Sequence, residues 1–258
     1  MATSYPFTSA LVTGASSGIG EAMARALGAA GIPVVVVARR AEKLEEVAAS
    51  SAGTEVLVAD LSTADGVAAV AARIVDPANP IDLVVNNAGF GTSGNFADLD
   101  PDRLDEEVRL NVGALTRLSR AALGVMVPRR RGFLLNVSSV VSFQPGPRLA
   151  VYAATKAYVT SLSESLHEEV RGTGVKVTAL CPGLTRTEFQ SVSSSSDLTS
   201  RIPSMMWQSA AEVAETGLRD VAHGRALSIP GMMNKSMVAA SGMTPRNVLR
   251  RLTGAVRV

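Results

Sequence analysis

Three residues in the second half of the chain could together move a proton. Tyr152 and Lys156 lie four residues apart in a segment of helical period, Val151–Gly172, and so would share one helix face. A free tyrosine, with a pKa near ~10, is a poor acid or base at neutral pH, but a neighbouring ammonium stabilises the phenolate. Ser139 stands at the end of the fifth predicted strand, where its hydroxyl could hold a carbonyl oxygen beside Tyr152. A lone Tyr-x-x-x-Lys pair often arises by chance, so this hypothesis depends on the rest of the chain.

A glycine-rich turn near the N-terminus could hold the pyrophosphate of a dinucleotide. The turn follows the predicted strand Ala10–Thr13, and its members are Gly14, Ser16, Ser17, Gly18, Ile19 and Gly20, with a helix opening at about Ile19. Glycine lets the backbone turn tightly and approach a phosphate, and the helix N-terminus offers unpaired N–H groups. The spacing is Gly-x-x-x-Gly-x-Gly, which alone also fits a tight turn that binds nothing.

The end of the second predicted strand favours NADP(H) over NAD(H). An acidic residue here would accept hydrogen bonds from the adenosine ribose hydroxyls, but the chain has Arg39 and Arg40 instead. The planar, permanently charged Arg39 suits a 2′-phosphate, and Arg40 either assists or is solvated. A basic surface turn is the alternative interpretation of this pair.

Two further strand ends fall at the same predicted edge of the sheet, where open α/β folds bind ligands. Asp60 and Leu61 follow the third strand, and an Asp there can accept a hydrogen bond from the adenine amino group. Asn87, Ala88 and Gly89 follow the fourth strand and can let the backbone pass close to the adenosine ribose. For these residues a helix cap or a turn is the structural alternative.

The order of apolar runs predicts an α/β fold, a Rossmann-type doubly wound parallel sheet of about seven strands with helices on both faces. The predicted strands are near-continuous apolar runs, as expected for buried strands: Ala10–Thr13, Pro33–Ala38, Glu55–Ala59, Ile81–Asn86, Gly132–Ser138, Val175–Cys181 and Ala226–Ile229. The predicted helices are Ile19–Ala30, Glu42–Ser50, Thr63–Val75, Pro101–Val127, Val151–Gly172 and Ala210–His223.

Length and composition limit the classes of function. The 258 residues, 47% hydrophobic, fit one domain spanning 1–258 with a substantial core. A formal net charge of +2 is too small to indicate nucleic acid. The single cysteine, Cys181, excludes an intrachain disulfide and is expected to be a buried strand residue in a reducing compartment. We expect a cytoplasmic enzyme without signal peptide, transmembrane span or metal site.

The motifs taken together resemble those of the short-chain dehydrogenase/reductase family, in its shorter, single-domain branch. The resemblance covers nearly the whole length and includes Thr-Gly-x-x-x-Gly-Ile-Gly, Asn-Asn-Ala-Gly, Asn111, Ser139, Tyr152, Lys156 and Pro182-Gly183. It implies an NADP(H)-dependent oxidoreductase that reduces a ketone or aldehyde to an alcohol, or the reverse.

The resemblance also implies a role for each matching residue. Tyr152 would be the general acid in reduction and the base in oxidation, and Lys156 would bind the nicotinamide ribose as well as tune Tyr152. Ser139 would orient the substrate carbonyl, and Asn111 would hold a water linking Lys156 to solvent. Pro182, Gly183, Thr185 and Thr187 would line the nicotinamide end of the cofactor site. A homodimer or homotetramer is expected, because in the family the helices Pro101–Val127 and Val151–Gly172 pair across subunits.

The substrate is the least determined part of this interpretation. The region 188–208 would cover it, and the apolar residues Met205 to Trp207, with Phe90, Phe143 and Pro145 opposite, favour a medium or large apolar carbonyl compound. The Ser-rich stretch Ser191–Ser200 could equally be a disordered loop, and Met205–Trp207 could pack against the fold.

Three questions stay open at this stage. The tail 234–258 could cover the cleft, contact another subunit or form a basic amphipathic helix on a membrane. The run Arg129–Arg131 reads as a solvated turn, although with Arg148 it could meet an acyl carrier in a 3-oxoacyl-thioester reductase. A non-catalytic NADP(H)-sensing regulator is the alternative from another class, and it would not need Tyr152.

Overall fold

The computed structural model describes residues 5–189, 193 and 203–255, and a parallel sheet lies at the centre of this part of the chain. The strands are β1 (Ala10–Thr13), β2 (Val34–Ala38), β3 (Glu55–Val58), β4 (Leu83–Asn86), β5 (Gly132–Val137), β6 (Val175–Leu180), β7 (Thr185–Arg186), β8 (Gln208–Ser209) and β9 (Leu227–Ser228). Seven of them form the sheet in the order β3-β2-β1-β4-β5-β6-β9, while β7 pairs with β8. The predicted doubly wound sheet is confirmed.

Helices cover both faces of the sheet. In chain order they are α1 (Gly18–Ala29), α2 (Ala41–Ala48), α3 (Ala64–Val75), α4 (Pro101–Val108), α5 (Leu115–Met126), α6 (Ala150–Glu169), α7 (Ala210–Ala222), α8 (Met232–Met243) and α9 (Arg246–Ala255). Along β2, Val34 and Val36 pack into one hydrophobic cluster with α1, α2 and α7, and Val35 and Val37 into another with α3 and α5. Alternate side chains of a strand point to opposite faces, so a parallel strand between two helix layers must be apolar throughout.

The strand β3 is the exception to the predicted burial. The sequence predicts a buried strand over Glu55–Ala59, but Glu55 and Val58 are exposed. The reason is its position at the edge of the sheet, next to β2 alone. A charged residue such as Glu55, which forms an ion pair with Arg73, helps to keep an edge strand from pairing with another chain.

The helix predicted over Pro101–Val127 is interrupted in the structure. α4 begins at Pro101, whose fixed φ suits a first helical position, and the Asp100 carboxylate accepts a hydrogen bond from the Asp102 N–H. A π-helical turn, Arg109–Ala114, then separates α4 from α5. Such turns re-aim side chains and are frequent at functional sites. The prediction of one continuous helix is therefore wrong at the turn that carries Asn111.

The described part of the tail 234–258 is mostly helical. α8 begins after Gly231, whose φ of +83° favours glycine, and α9 follows Pro245. Neither helix is among the predicted elements, although a basic amphipathic helix was one alternative for the tail. In residues 5–189, 193 and 203–255, no helix combines the length and apolarity required to cross a membrane.

The run Arg129–Arg131 is anchored rather than simply solvated, which corrects the prediction. The side chain of Asp82, 7% exposed, forms an ion pair with Arg131 at 2.9 Å and accepts hydrogen bonds from the N–H and hydroxyl of Thr8. Arg129 donates to the carbonyl oxygen of Ile81. These contacts hold the turn after α5 against the start of β4. Burial acts to raise the pKa of Asp82, but the hydrogen bonds from Arg131 and Thr8 outweigh it and lower that pKa.

Replacing Asp82 by Asn should lower the free energy of unfolding at pH 7 by about 1–3 kcal/mol, because Arg131 loses its buried partner. The folded-state pKa of Asp82 is depressed, so its contribution is present above the unfolded-state pKa near ~3.9 and is lost as the pH falls further. Urea unfolding at neutral and acidic pH measures both. The exposed Asp105→Asn is the control, within about 0.5 kcal/mol of wild type. Equal losses in the two variants would contradict the assignment.

Candidate active site

The glycine turn between β1 and α1 has the geometry that only glycine allows. Gly14 and Gly18 have φ values of +66° and +61°. A Cβ on Gly14 would lie 2.7 Å from Nδ2 of Asn87 and 2.9 Å from Cα of Ala88, and one on Gly20 would collide with the carbonyl oxygen of Gly14. The turn therefore packs directly on the segment that follows β4, with no room for a side chain.

Hydrogen bonds from Thr13 and Asn87 lock that packing. The hydroxyl of Thr13 accepts hydrogen bonds from the backbone N–H of Asn87 at 2.9 Å and from that of Ala88 at 3.0 Å. It also donates a hydrogen bond to the carbonyl oxygen of Val85. The side-chain amide of Asn87 donates to the carbonyl oxygens of Thr13 and Gly14. The carboxyl ends of β1 and β4 thus form one rigid unit. The sequence assigned Thr13 no role beyond its place in the motif.

Two arginines lie at the end of β2 with different partners. Nη1 of Arg39 is 3.9 Å from the carboxylate of Asp60 and 3.7 Å from that of Glu106. Arg40 donates to the hydroxyl of Ser16, at 3.1 Å from Nη2, and forms a 3.0 Å ion pair with Glu188 across the cleft. Both guanidinium groups are largely exposed, so a stronger anion could recruit them.

Asp60 serves in a turn and also faces Arg39. Its Oδ1 accepts hydrogen bonds from the N–H and hydroxyl of Ser62, while Thr63, not Asp60, caps α3. Partial burial acts to raise the pKa of Asp60, but the bonds from Ser62 and the charge of Arg39 lower it overall. The turn that was the structural alternative for Asp60 is thus present, and Oδ2 of Asp60 faces Arg39.

Ser139, Tyr152 and Lys156 come together in the interior. Ser139 lies two residues beyond the end of β5 and precedes a 3₁₀ turn, Val140–Phe143. Its hydroxyl accepts a hydrogen bond from the N–H of Val141 at 3.4 Å. Tyr152 and Lys156 lie on α6, and Nζ of Lys156 donates to the carbonyl oxygen of Val137 at 2.8 Å. Nζ is 5.7 Å from the centroid of the tyrosine ring. All three side chains are buried.

Burial dominates the titration of this group. Removal from water raises the pKa of Tyr152 above its usual value, although a hydrogen bond with Ser139 acts to lower it. Burial also lowers the pKa of Lys156 to about 8. The sequence predicts that Lys156 lowers the pKa of Tyr152, whereas in this structure desolvation of the phenol outweighs the hydrogen bond with Ser139 and the pKa is raised.

Asn111 supports the segments around the site through hydrogen bonds. In the π-helical turn, its Nδ2 donates to the carbonyl oxygen of Phe90 at 2.7 Å and to the hydroxyl of Thr155, and its Oδ1 accepts the Phe90 N–H. Gly91, which follows Phe90, packs so closely against Tyr152 that a Cβ on it would lie 2.9 Å from Cδ2 of the ring. The Asn111 side chain thus joins the segment after β4 to α6. The water implied for Asn111 remains a prediction.

Glu107 belongs to the same support and was missed by sequence reasoning. It is fully buried, and its Oε2 accepts a hydrogen bond from the hydroxyl of Thr92 at 2.6 Å. Its other oxygen, Oε1, has no hydrogen-bond partner among the described residues. Burial raises the pKa of Glu107, although Thr92 and the charges of Lys156 and Arg103 act to lower it. Its spacing of four from Asn111, which puts both on one helix face, was the available signal.

One cavity of about 590 Å³ joins the glycine turn to Tyr152. All the predicted catalytic and cofactor-binding residues line it except Gly20 and Asn111: Gly14, Ser16, Ser17, Gly18, Ile19, Arg39, Arg40, Asp60, Leu61, Asn87, Ala88, Gly89, Ser139, Tyr152, Lys156, Pro182, Gly183, Thr185 and Thr187. Gly20 and Asn111 pack behind the wall. The arrangement brings the glycine turn and a titratable tyrosine into one cleft.

The far end of the cavity is apolar. Its lining there includes Phe90, Val141, Leu149, Phe189 and Met237, and the polar residues beside them are Gln144 and Arg103, whose guanidinium lies 3.7 Å from the centroid of the Phe90 ring. Phe143 and Pro145, expected on this wall, do not line the cavity, because the 3₁₀ turn presents Val140 and Val141 instead. Met206 and Trp207 are described but lie outside the lining, and the side chain of Met205 lies outside the described residues.

Two other predictions concern neighbouring segments. Of the stretch Ser191–Ser200, only Ser193 is described, and the rest lies outside the described residues, as does Ile202. The hydroxyl of Ser193 accepts a hydrogen bond from the N–H of Gly91. Cys181 is fully buried just beyond β6, and burial raises its pKa to about 11. A buried thiol of this kind is inert, in agreement with the structural interpretation of Cys181.

Comparison with known proteins identifies the family. The model of the short chain dehydrogenase family matches residues 8–197. An uncharacterised oxidoreductase of Staphylococcus epidermidis is 35% identical over 179 residues, or 69% of this chain and 78% of that protein. The chain therefore belongs to the short-chain dehydrogenase/reductase family and is an oxidoreductase.

Two solved structures of similar proteins carry further information. A short-chain dehydrogenase from Sphingobium yanoikuyae in complex with NADPH is 31% identical, with a TM-score of 0.81 over 96% of each chain. The bulky-bulky ketone specific alcohol dehydrogenase from Comamonas testosteroni is 30% identical, with a TM-score of 0.77 over 92% of this chain and 93% of its own.

Replacing Gly20 by Ala should destabilise the protein by about 1–3 kcal/mol, because the new Cβ collides with the Gly14 carbonyl and displaces Asn87. Gly242→Ala is the matched control, since Gly242 also lies in a helix but has open space around its Cβ position. That variant should be more stable than wild type by up to about 1 kcal/mol. Thermal and urea unfolding measure both changes. Stabilisation of both variants alike would contradict the packing described for the turn.

Proposed function

We propose that the protein is an NADP(H)-dependent oxidoreductase that interconverts a carbonyl compound and an alcohol, with Tyr152 as the acid and base. The observation that carries the proposal is the convergence of Ser139, Tyr152 and Lys156 on one cavity. The same cavity is bounded at its other end by the glycine turn and by two exposed arginines. The groups that would hold the cofactor and the group that would donate the proton thus line one cavity, which supports hydride transfer coupled to proton transfer.

The chain offers groups for each part of the dinucleotide. The cradle at Gly14, which a Cβ would fill, and the N-terminus of α1 would hold the pyrophosphate. Arg39 and Arg40, with Ser16, would hold the 2′-phosphate, and the absence of an acidic residue at these two positions supports NADP(H) over NAD(H). Asp60 to Leu61 and Asn87 to Gly89 would contact the adenosine. Bound nicotinamide supplies the hydride chemistry.

The remaining chemistry belongs to the side chains. The Ser139 hydroxyl would hold the carbonyl oxygen and polarise it, and Tyr152 would give its proton to that oxygen in reduction and take it back in oxidation. Lys156, fixed by the Val137 carbonyl oxygen, would bind the nicotinamide ribose and stabilise the phenolate that Tyr152 becomes. Because burial lowers its pKa to about 8, Lys156 remains mostly protonated at neutral pH and loses that charge under alkaline conditions.

The apolar end of the cavity supports a medium or large apolar ketone or aldehyde as substrate. Phe90, Leu149, Phe189 and Met237 line it, so an apolar substituent would be buried there with a gain in free energy. The similar enzyme from Comamonas testosteroni is described as specific for bulky-bulky ketones, which agrees with this substrate class. We propose a homodimer or homotetramer as the assembly.

Replacing Tyr152 by Phe should lower turnover by about 100-fold or more, because the proton donor is lost while the ring keeps its packing. NADPH oxidation over a panel of apolar ketones, aldehydes, quinones and 3-oxoacyl thioesters is the measurement, with NADPH affinity measured in parallel. Tyr158→Phe, on the same helix but exposed, is the matched control and should stay within about twofold of wild type. Unchanged turnover in Tyr152→Phe would overturn the assignment. Tight NADPH binding without turnover of any substrate would favour the sensing regulator.

Replacing both Arg39 and Arg40 by Gln should weaken NADPH binding about 10- to 100-fold and leave NADH binding nearly unchanged, because only NADPH carries the 2′-phosphate. Calorimetric titration with each cofactor measures the two affinities. Arg25→Gln removes a guanidinium that is paired with Glu21 on α1 and should alter neither affinity. If the double variant lost affinity for both cofactors equally, the arginines would not discriminate between them.

A further inference from the structure

The helices α8 and α9 expose several apolar side chains to solvent. No side chain of α8 is buried, and Met232 and Met243 are 75% and 87% exposed. The other exposed apolar side chains of this surface are Met233, Met237, Val248 and Leu252. Single exposed apolar residues are ordinary, but six on two consecutive helices indicate that this segment contacts something apolar.

The charge of the same segment is strongly one-sided. Asp220 is the last acidic residue of the chain, and six basic residues follow it: Arg225, Lys235, Arg246, Arg250, Arg251 and Arg257. In contrast, residues 1–220 contain 19 Lys and Arg against 23 Asp and Glu. The small net charge of the whole chain thus conceals a basic C-terminal part joined to an acidic remainder.

Apolar and basic residues alternate around α9 in the manner of an interfacial helix. Val248 and Leu252, four residues apart, share one face. At 3.6 residues per turn, Arg251 and Arg246 border the two sides of the face formed by Val248, Leu249 and Leu252, whereas Arg250 lies opposite that face. Arginines in such flanking positions can reach anionic headgroups while the apolar face enters the boundary of the bilayer.

The position of α8 connects this surface with the active-site cavity. Asn234 packs against Gly183 and donates to the side-chain oxygen of Gln208 at 3.0 Å and to the carbonyl oxygen of Pro230 at 2.8 Å. One turn further on, Met237 lines the cavity. The exposed helix pair therefore borders the apolar end of the cavity.

We propose that α8 and α9 form a peripheral binding surface for the anionic headgroup region of a lipid bilayer. The apolar side chains would enter the interface and the basic ones would neutralise lipid phosphates, so the protein would lie on the membrane with its cavity beside the lipid. The charge argues against a symmetric contact of this surface with the same surface of a second copy. Two such surfaces placed face to face would bring arginine against arginine, with no acidic residue from the same segment between them.

The test is co-sedimentation of the full-length protein with vesicles of phosphatidylcholine alone and of phosphatidylcholine mixed with phosphatidylglycerol, at low and high salt. We expect binding to the anionic vesicles only, weakened by salt. Arg246→Gln with Arg251→Gln should reduce the partition coefficient about 30-fold, since each cation near an anionic surface contributes about 5-fold. Leu252→Ser should also reduce it, whereas Arg246→Lys with Arg251→Lys should retain it.

Lys43→Gln with Arg171→Gln is the matched control, because it removes two exposed positive charges elsewhere and should leave vesicle binding unchanged. Equal binding to neutral and anionic vesicles, no binding to either, or an equal loss in the control would overturn the proposal. A change of molecular mass in solution caused by Leu252→Ser without vesicles would assign the surface to a contact between copies instead. Vesicle binding does not require turnover, so failure of the catalytic proposal would leave this result separate.

Discussion

The hydrogen bonds between the end of β1 and the segment after β4 are the constraint on which the rest of the site depends. One hydroxyl, that of Thr13, satisfies two neighbouring backbone N–H groups, and the Asn87 amide returns two hydrogen bonds to the opposite backbone. Groups withdrawn from water in this way are costly to leave unpaired, so the two strand ends cannot shift independently. The glycines are needed because the two backbones lie in direct contact.

A second chain of buried polar groups joins β4 and β5 to α6, the helix that carries Tyr152 and Lys156. Nδ2 of Asn86 donates to Oδ1 of Asn136 at 2.9 Å, and Nδ2 of Asn136 donates to the hydroxyl of Ser163 at 3.0 Å. β4, β5 and α6 are therefore joined through their side chains as well as through apolar packing. Because α6 bears Tyr152 and Lys156, the distance between the glycine turn and Tyr152 is set by the sheet and not by loops.

Sequence patterns were sufficient for the sheet, most helix bounds and the residues around the cavity, because apolar runs and glycine spacing are local signals. They failed where the outcome depends on tertiary position. Nothing in Glu55–Val58 shows that this strand lies at an edge, and nothing in Pro101–Val127 shows a π-helical turn. The burial that raises the pKa of Tyr152 arises from residues distant in the chain, so it could not be derived from spacing. For Glu107, the spacing from Asn111 indicated the helix face but not the complete burial of the side chain.

The single cysteine gives the protein an internal reporter of its own unfolding. Cys181 is fully buried beside the central sheet, and with a pKa of about 11 only on the order of one thiol in ten thousand is ionised at neutral pH. Thiol reagents react with the thiolate, so their rate of reaction follows how often the region around β6 opens rather than any local chemistry. One labelling site per chain, without competing thiols, thus records the opening of the scaffold that supports the candidate catalytic residues.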